Sequence, residues 1–499
     1  MQYRLNDCKS GFGTITMSFY IESALIDNKK IELVPQSTHD IGNIYTVLIG
    51  KNGTGKSIFL SKLANSLCSI QVENKYLKRD FDINEKNNTK ISFNIVNDSV
   101  GNEIRLEGRK FIGGDSKHLL PSVLTCISTS PFDKFSSERR FYNSKNEVNE
   151  FYHYFGLKEL GRNNAIHAFI EKILYSRINS SLKNDRESFE KILGFLNYQP
   201  KIKIEFRTRI NFKTLFKLDD EELISEIEKP IFTQIGIYRR SKKQSDYDVS
   251  RIRNSLLFIN DYILASSDRR SSSGARHFDV EINSLDENMI NISESVMHEM
   301  LYLMDLNLLS IRDIYLYKKS GDEVILYEAS SGEQCLLINT FGIANCIADN
   351  ALILIDEPEV SLHPEWQEVY IELLIDVFSH KKGCHFIIAT HSPQIISNLK
   401  KDNCFITTLE NGKTYHAKDF INKSADFQLA TLMEAPGHEN EYLKRMAVNI
   451  LSKISANEKL SEKDINDVLW LKDISKNLEQ NDTVMFLIGL IVKSKVPLK

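Results

Sequence analysis

Cysteine is scarce in this chain of 499 residues: the seven present, Cys8, Cys68, Cys126, Cys335, Cys346, Cys384 and Cys404, are odd in number, widely spaced and without a C-x-x-C pair. That pattern argues against structural zinc and for a reducing cytoplasm. Long hydrophobic runs are missing too. None approaches the roughly eighteen residues that a membrane-spanning helix needs, and the longest, Val484–Val492, fits the buried end of a helix. The first residues, Met1-Gln-Tyr-Arg-Leu-Asn-Asp-Cys8, lack the charged and apolar regions of a secretion signal, so neither export nor membrane association is expected. Excess charge of one sign is the third absence. A net charge of −4 beside 42% hydrophobic residues excludes a disordered chain and fits a globular protein of two or three domains.

What is present centres on Ala351-Leu-Ile-Leu-Ile355-Asp356-Glu357-Pro358-Glu359. An apolar run that ends abruptly in carboxylates predicts a buried parallel strand delivering acids to the carboxyl edge of a sheet, where α/β proteins place their chemistry. Buried carboxylates need a cation or a reacting proton, so Asp356 is a candidate Mg²⁺ ligand and Glu357 a candidate base that polarises water.

Upstream, the β-like Tyr45–Ile49 runs into Gly50-Lys51-Asn52-Gly53-Thr54-Gly55-Lys56-Ser57 and then into an apolar helix from Ile58. This is G-x-x-x-x-G-K-[ST] in its required setting of strand, loop and helix. Glycines let backbone N–H groups close around phosphate oxygens, Lys56 reaches the β- and γ-phosphates, and Ser57 ligates Mg²⁺. ATP or GTP is the expected ligand.

Residues 14–22 alternate as a strand, and residues 80–112 suggest a small antiparallel subsheet turning at Asn87-Asn88, Gly101-Asn102 and Gly113-Gly114. Val123–Ser128 is a further buried-type strand ending in Ser128-Thr-Ser-Pro-Phe-Asp133, a candidate contact to metal or nucleotide. From about Glu147 to Asn291 the pattern turns helical and charged, with amphipathic Ala165–Leu182 and Arg186–Leu196 around a strand-like Lys201–Arg209. Within it Arg239, Arg240, Lys242, Lys243, Arg251, Arg253, Arg269, Arg270 and Arg276 outnumber nearby acids. Such a patch is either a solvated face or a contact to nucleic-acid phosphates, for which Arg239, Arg240, Lys242 and Lys243 are the candidates. A hairpin over 309–317 and 323–328 leads to Ser330-Ser331-Gly332-Glu333-Gln334 and an apolar helix through Ala348, whose start is an N-cap and an anion-binding end. Beyond the acidic strand come helix Glu365–Phe378 and strand His385–Ala389, which ends in Thr390-His391-Ser392-Pro393 on the same sheet edge.

Taken together, the phosphate loop, Ser330–Gln334, Ile355–Glu359, Leu362-His363-Pro364 and Thr390–Pro393 resemble the ATP-binding-cassette fold in its soluble SMC-like and OLD-like branch. The resemblance implies an α/β ABC-type ATPase head, a mixed sheet with a P-loop core, split by a helical insertion and followed by a helical C-terminal region. The expected division is 1–135 and 291–400 for the two parts of the head, 136–290 for the mainly helical insertion and 401–499 for the tail. It also implies ATP with Mg²⁺, and a head-to-tail dimer in which the signature Ser330, Ser331, Gly332 and Glu333 of one subunit caps the ATP of the other. Asp356 then holds Mg²⁺ through water or directly, Glu357 orients the attacking water, and His391 senses the γ-phosphate. Two departures stand out: Ser331 replaces the usual first glycine of the signature, and no glutamine lies near Ser128–Asp133.

The insertion is too short for long coiled-coil arms and shows no sustained heptads. Ser130-Pro131-Phe132-Asp133, the short insert and Ala425-Asp426-Phe427 through Pro436-Gly437-His438 to Leu443 look most like the PtuA-type ATPases of Septu and retron anti-phage systems. Those imply a separate HNH nuclease (PtuB-like) and, in retrons, a reverse transcriptase with its RNA–DNA product. Residues 401–499 offer no Glu with Asp-x-Asp set for a Toprim nuclease. An ATPase regulator of defence is therefore expected, as a dimer or higher oligomer. The competing readings are an SMC-like DNA repair or DNA-end clamp and a nearly inert ATP-stabilised scaffold. The tail's apolar faces fit either a docking surface or packed core helices.

Overall fold

The computed structural model describes residues 19–26, 29–35, 42–51, 53–73, 90–97, 100–107, 110–112, 119–130, 132–136, 151–156, 183–208, 212–228, 231–233, 236–238, 247–266, 277–286, 291–306, 308–397, 399, 401–421 and 423–494. Its centre is a seven-stranded sheet. In chain order the strands are β1 (Ile44–Ile49), β2 (Leu124–Ser128), β3 (Tyr152–Gly156), β4 (Leu352–Asp356), β5 (His385–Ala389), β6 (Cys404–Thr408) and β7 (Thr414–His416), and their order in space is β7-β6-β1-β5-β4-β2-β3. All neighbours are parallel except the edge pair β6 and β7.

Strands this apolar are stable only when both faces are covered, and the side-chain alternation shows how that is done. Tyr45, Val47, Ile49, Ile353 and Ile355 join one core with Phe386 and Ile388, while Ile44, Leu48, Leu352, Leu354 and Ile387 join another. The second core receives α1 (Lys56–Glu73) through Phe59, Leu60, Leu63 and Leu67, together with Phe19 and Ile21 of an outer antiparallel sheet. The first core receives α2 (Ser331–Cys346), α3 (Pro364–Val377) and a four-stranded antiparallel sheet whose middle strands are Tyr198–Thr208 and Leu309–Lys318. His385 ties the layers together without charge. Its Nδ1 accepts from Ile21 N at 3.2 Å, which puts the ring proton on Nε2, 2.9 Å from Thr46 Oγ1. Complete burial pushes its pKa down to about 3, so the imidazole is a neutral structural link.

The outer sheet, order Lys29–Glu32, Phe19–Ile26, Lys90–Asn97, Val100–Glu107 and Lys110–Ile112, is the expected antiparallel subsheet. Gly101 and Asn102 are not its turn, however. They pair with Val96 and Ile95 inside a strand, and the ladder continues beyond them to Asn97 opposite Val100. Asn87-Asn88, Gly113-Gly114 and the expected helix over 165–182 lie outside the described residues.

The sheet also crosses the expected domain limits. Strand β3 lies within 136–290 yet pairs with β2, and β6 lies beyond residue 400 yet pairs with β1. Among its described residues the segment 136–290 contributes strands Tyr198–Thr208 and His277–Asn283 as well as helices. Beyond β7 the chain packs helices Ala425–Thr431, Glu441–Ser455, Glu462–Ile474 and Thr483–Lys493 around Leu443, Ile450, Val468, Leu471 and Ile488. The apolar run 484–492 is not a buried helix end: Phe486, Leu490 and Val492 stand exposed while Val484, Ile488 and Ile491 face the bundle. Among the described residues no helix is long and apolar enough to cross a membrane.

Candidate nucleotide site

The carboxyl ends of β1, β4 and β5 meet at one edge, as expected where parallel strands finish. Beyond β1 the loop of Gly50, Lys51, Gly53, Thr54 and Gly55 leads into α1; Asn52 lies outside the described residues. Gly53 (φ 81°) and Gly55 (φ 93°) take left-handed backbone that a side chain would strain. Lys56 at the helix start is buried, and its Nζ donates to Gly50 O (2.7 Å), Lys51 O (3.4 Å) and His391 Nδ1 (3.0 Å). Burial brings its pKa down to about 8 against the pull of Glu410, Glu359, Glu357 and Asp356.

Ser57 and Asp356, far apart in sequence, are joined by a 3.0 Å hydrogen bond from Ser57 Oγ to Asp356 Oδ1. Burial raises the Asp356 pKa to about 7; the Ser57 hydroxyl lowers it, and Glu357, Asp133 and Glu359 push it up further. A desolvated carboxylate bonded to one hydroxyl and crowded by other acids is a donor set that fits a divalent cation. Glu357 follows with φ 51°, a left-handed conformation unusual for a side-chain-bearing residue. It is pinned by Glu357 N donating to Ala389 O (2.9 Å) and by Thr129 Oγ1 donating to Glu357 O (3.0 Å).

His391 completes the edge, its Nε2 3.9 Å from Glu357 Oε1. Burial and the Lys56 ammonium hold its pKa down to about 4, so the ring is neutral. Because Nδ1 accepts from Lys56, the proton sits on Nε2, facing Glu357.

Ser330 caps α2 in a reciprocal box: its hydroxyl accepts from Glu333 N (3.2 Å), and Glu333 Oε2 accepts from Ser330 N (2.8 Å). The other Glu333 oxygen accepts from Tyr198 OH at 2.8 Å, which ties the start of α2 to the four-stranded sheet. Ser330 and Ser331 are exposed. Among the described residues the hydrogen bonds of Ser330 and Glu333 run within α2 and to Tyr198, not to the phosphate loop. Gly332 packs under the Ser361 segment so closely that a Cβ would lie 2.8 Å from Ser361 O and 3.1 Å from the Trp366 ring. Gly332→Ala is therefore expected to cost about 1–3 kcal/mol, seen as a lower midpoint of thermal unfolding. An unchanged midpoint would place α2 and the Ser361 turn apart.

Other expected contacts come out differently. Asp133 turns inward, accepting from Tyr154 OH (2.7 Å) and Phe135 N (2.9 Å), and its charge acts on Asp356. Thr129 of that strand end donates to Glu357 O in the acidic turn. Arg239, Arg240, Lys242, Lys243, Arg269, Arg270 and Arg276 lie outside the described residues. Arg251 and Arg253 are engaged at home, Arg251 with Glu299 and the Tyr302 ring, Arg253 with Asp220 at 2.7 Å.

Two acids went unassigned in the sequence. Glu359 Oε1 accepts from His391 N at 2.6 Å, and Glu410 Oε1 accepts from Lys51 N at 2.6 Å. The first could have been found from the Asp-Glu-Pro-Glu run; the second has no local signal.

The sequence matches the family described as AAA ATPase domain over residues 25–396. It is 22% identical over 422 residues to the Retron Vc95 probable ATPase of Vibrio cholerae serotype O1 biovar El Tor, 76% of this chain and 74% of that protein. It is 31% identical over 116 residues to the Retron Ec83 probable ATPase of Escherichia coli, 23% of this chain and 20% of that protein. Among solved structures, an Smc head domain with an extended coiled coil, bound to the C-terminal domain of ScpA, from Pyrococcus furiosus is similar at 13% identity and TM-score 0.28, over 80% of this chain and 97% of that one.

Proposed function

The chain belongs to the AAA ATPase domain family, and from that premise we propose that it binds ATP with Mg²⁺ in the Gly50–Ser57 loop and hydrolyses it slowly as a head-to-tail dimer. By that cycle it controls a separate HNH-type, PtuB-like nuclease in the cytoplasm, within an anti-phage defence system of retron or Septu type; in a retron, a reverse transcriptase and its RNA–DNA product complete the assembly. The observation that carries the chemistry is the convergence of five side chains at a single sheet edge: Lys56 is bonded to His391, His391 faces Glu357 at 3.9 Å, and Ser57 is bonded to Asp356. Support for the defence setting comes from the two relatives that are named as retron ATPases.

Each side chain has a role that its surroundings permit. The loop N–H groups and Lys56 hold the phosphates. Ser57 and Asp356 would hold Mg²⁺, which when bound neutralises charge on the phosphate oxygens. Glu357, pinned by its backbone, orients the attacking water and accepts its proton. Neutral His391 presents its Nε2 proton beside Glu357, where it donates to the γ-phosphate. The exposed Ser330 and Ser331, with Gly332 and Glu333 behind them, cap the nucleotide of a second copy.

Asp356 and Glu357 face the nucleotide and cannot also serve a scissile phosphodiester. Purified protein is therefore expected to hydrolyse ATP but to cut neither DNA nor RNA until the nuclease is added. Incubation with Mg²⁺ or Mn²⁺, ATP and labelled nucleic acids checks this. Cleavage that co-purifies with the chain and survives Glu357→Gln would reveal a second active site.

A further inference from the structure

Strand β6 runs beside β1, with Thr408 opposite Ile49, and Leu409 N donates to Ile49 O at 2.8 Å. There the backbone leaves the ladder. Gly412, at φ 69°, closes a hairpin by donating to Thr408 O (2.9 Å), its own carbonyl accepts from Glu32 N (3.1 Å), and Asn411 Oδ1 accepts from Lys413 N (2.8 Å). The next donor along β1, Lys51 N–H, is met by a side chain instead: Glu410 Oε1 accepts it at 2.6 Å.

The fit leaves no room. A Cβ on Gly50 would lie 3.0 Å from each Glu410 carboxylate oxygen and 2.8 Å from Thr54 Oγ1, which donates to Lys51 O at 2.9 Å. Glu410 Oε2 is buried and accepts no hydrogen bond from the described residues. The carboxylate is thus wedged between the hairpin and the first two residues of the loop.

We propose that Glu410 is the positioning residue of the phosphate loop: from the β6–β7 hairpin it fixes Lys51, and through Lys51 it sets the pitch of the N–H groups that receive the triphosphate. The inference rests on the Gly50–Ser57 loop being the nucleotide site. A charge-assisted hydrogen bond to backbone N–H is stronger than a neutral one and holds geometry more firmly, and pre-set geometry lowers the ordering cost of binding.

The experiment compares KM and kcat for ATP, and thermal unfolding without nucleotide, in the full-length wild type, Glu410→Ala, Glu410→Gln and, as a control on the site itself, Lys56→Ala. Loss of one charge-assisted bond predicts a KM about tenfold higher for Glu410→Ala, with kcat at saturating ATP held within about threefold. Glu410→Gln keeps a carbonyl acceptor and is expected to restore KM to within about threefold of wild type. A destabilised fold would lower the unfolding midpoint of both variants and would not separate KM from kcat. Wild-type KM in Glu410→Ala, tighter binding in either variant, or a glutamine no better than alanine would overturn the proposal. Retained ATP binding in Lys56→Ala would instead overturn the assignment of the loop.

Discussion

Lys56→Ala is expected to weaken ATP binding by roughly 30- to 4,000-fold, the equivalent of about 2–5 kcal/mol for removing one member of a buried charge pair. Lys56 is 4% exposed, and its Nζ donates to two backbone carbonyls and one imidazole, all of them neutral. The carboxylates around it act through the field and form no direct bond to the ammonium among the described residues. A buried ammonium with uncharged partners is poised for an anion, and in the proposed function that anion is the phosphate chain, which the loop's N–H groups would also receive. Alanine removes a desolvated charge as well as a ligand contact, so the free protein is not expected to unfold. Titration with labelled ATP, beside a thermal unfolding curve, measures both. Wild-type affinity in this variant would remove the loop from the nucleotide site.

Glu357→Gln separates chemistry from binding. The residue holds a left-handed backbone pinned by Ala389 O and Thr129 Oγ1, and glutamine preserves shape and both backbone bonds while removing the carboxylate proposed as the base. Loss of a positioned general base is expected to lower turnover by about 10²–10⁴-fold. ATP affinity should stay close to wild type, and the nucleotide-bound dimer should accumulate. The order of effects is the reverse of that for Lys56. Phosphate release measured beside equilibrium binding discriminates the two, and full turnover in Glu357→Gln would assign the base elsewhere.

The parts of this architecture that were legible in the sequence are those whose signal is local. Strand, glycine loop and helix over Ile44–Glu73 form a contiguous pattern, and so does the apolar run that ends at Asp356. The capping box at Ser330 and Glu333 lies within four residues. Misreadings arose where local preference yielded to pairing or packing. Gly101 and Asn102 favour turns, yet the ladder opposite Ile95 and Val96 satisfies their backbone. The run Val484–Val492 is uniformly apolar, but only one face of a short helix can meet a three-helix bundle, which leaves Phe486 in solvent.

The places of β3, β6 and Glu410 in the sheet had no local signal. The short apolar strands β3 and β6 could have packed anywhere, and only the finished sheet shows that they extend it on opposite sides. Glu410, in a Glu-Asn-Gly turn, is indistinguishable in sequence from any solvated hairpin residue; its role follows from β6 lying next to β1.

A single-turnover experiment tests the central claim, that this sheet edge hydrolyses ATP, most directly. Excess purified protein is mixed with γ-labelled ATP and Mg²⁺, quenched over time, and assayed for bound nucleotide and free phosphate in the same samples. The expected result is slow, complete release of the γ-phosphate by the wild type, far less bound nucleotide in Lys56→Ala, and intact ATP held by Glu357→Gln. Equal phosphate release by all three proteins, or none by the wild type while ATP remains bound, would contradict it.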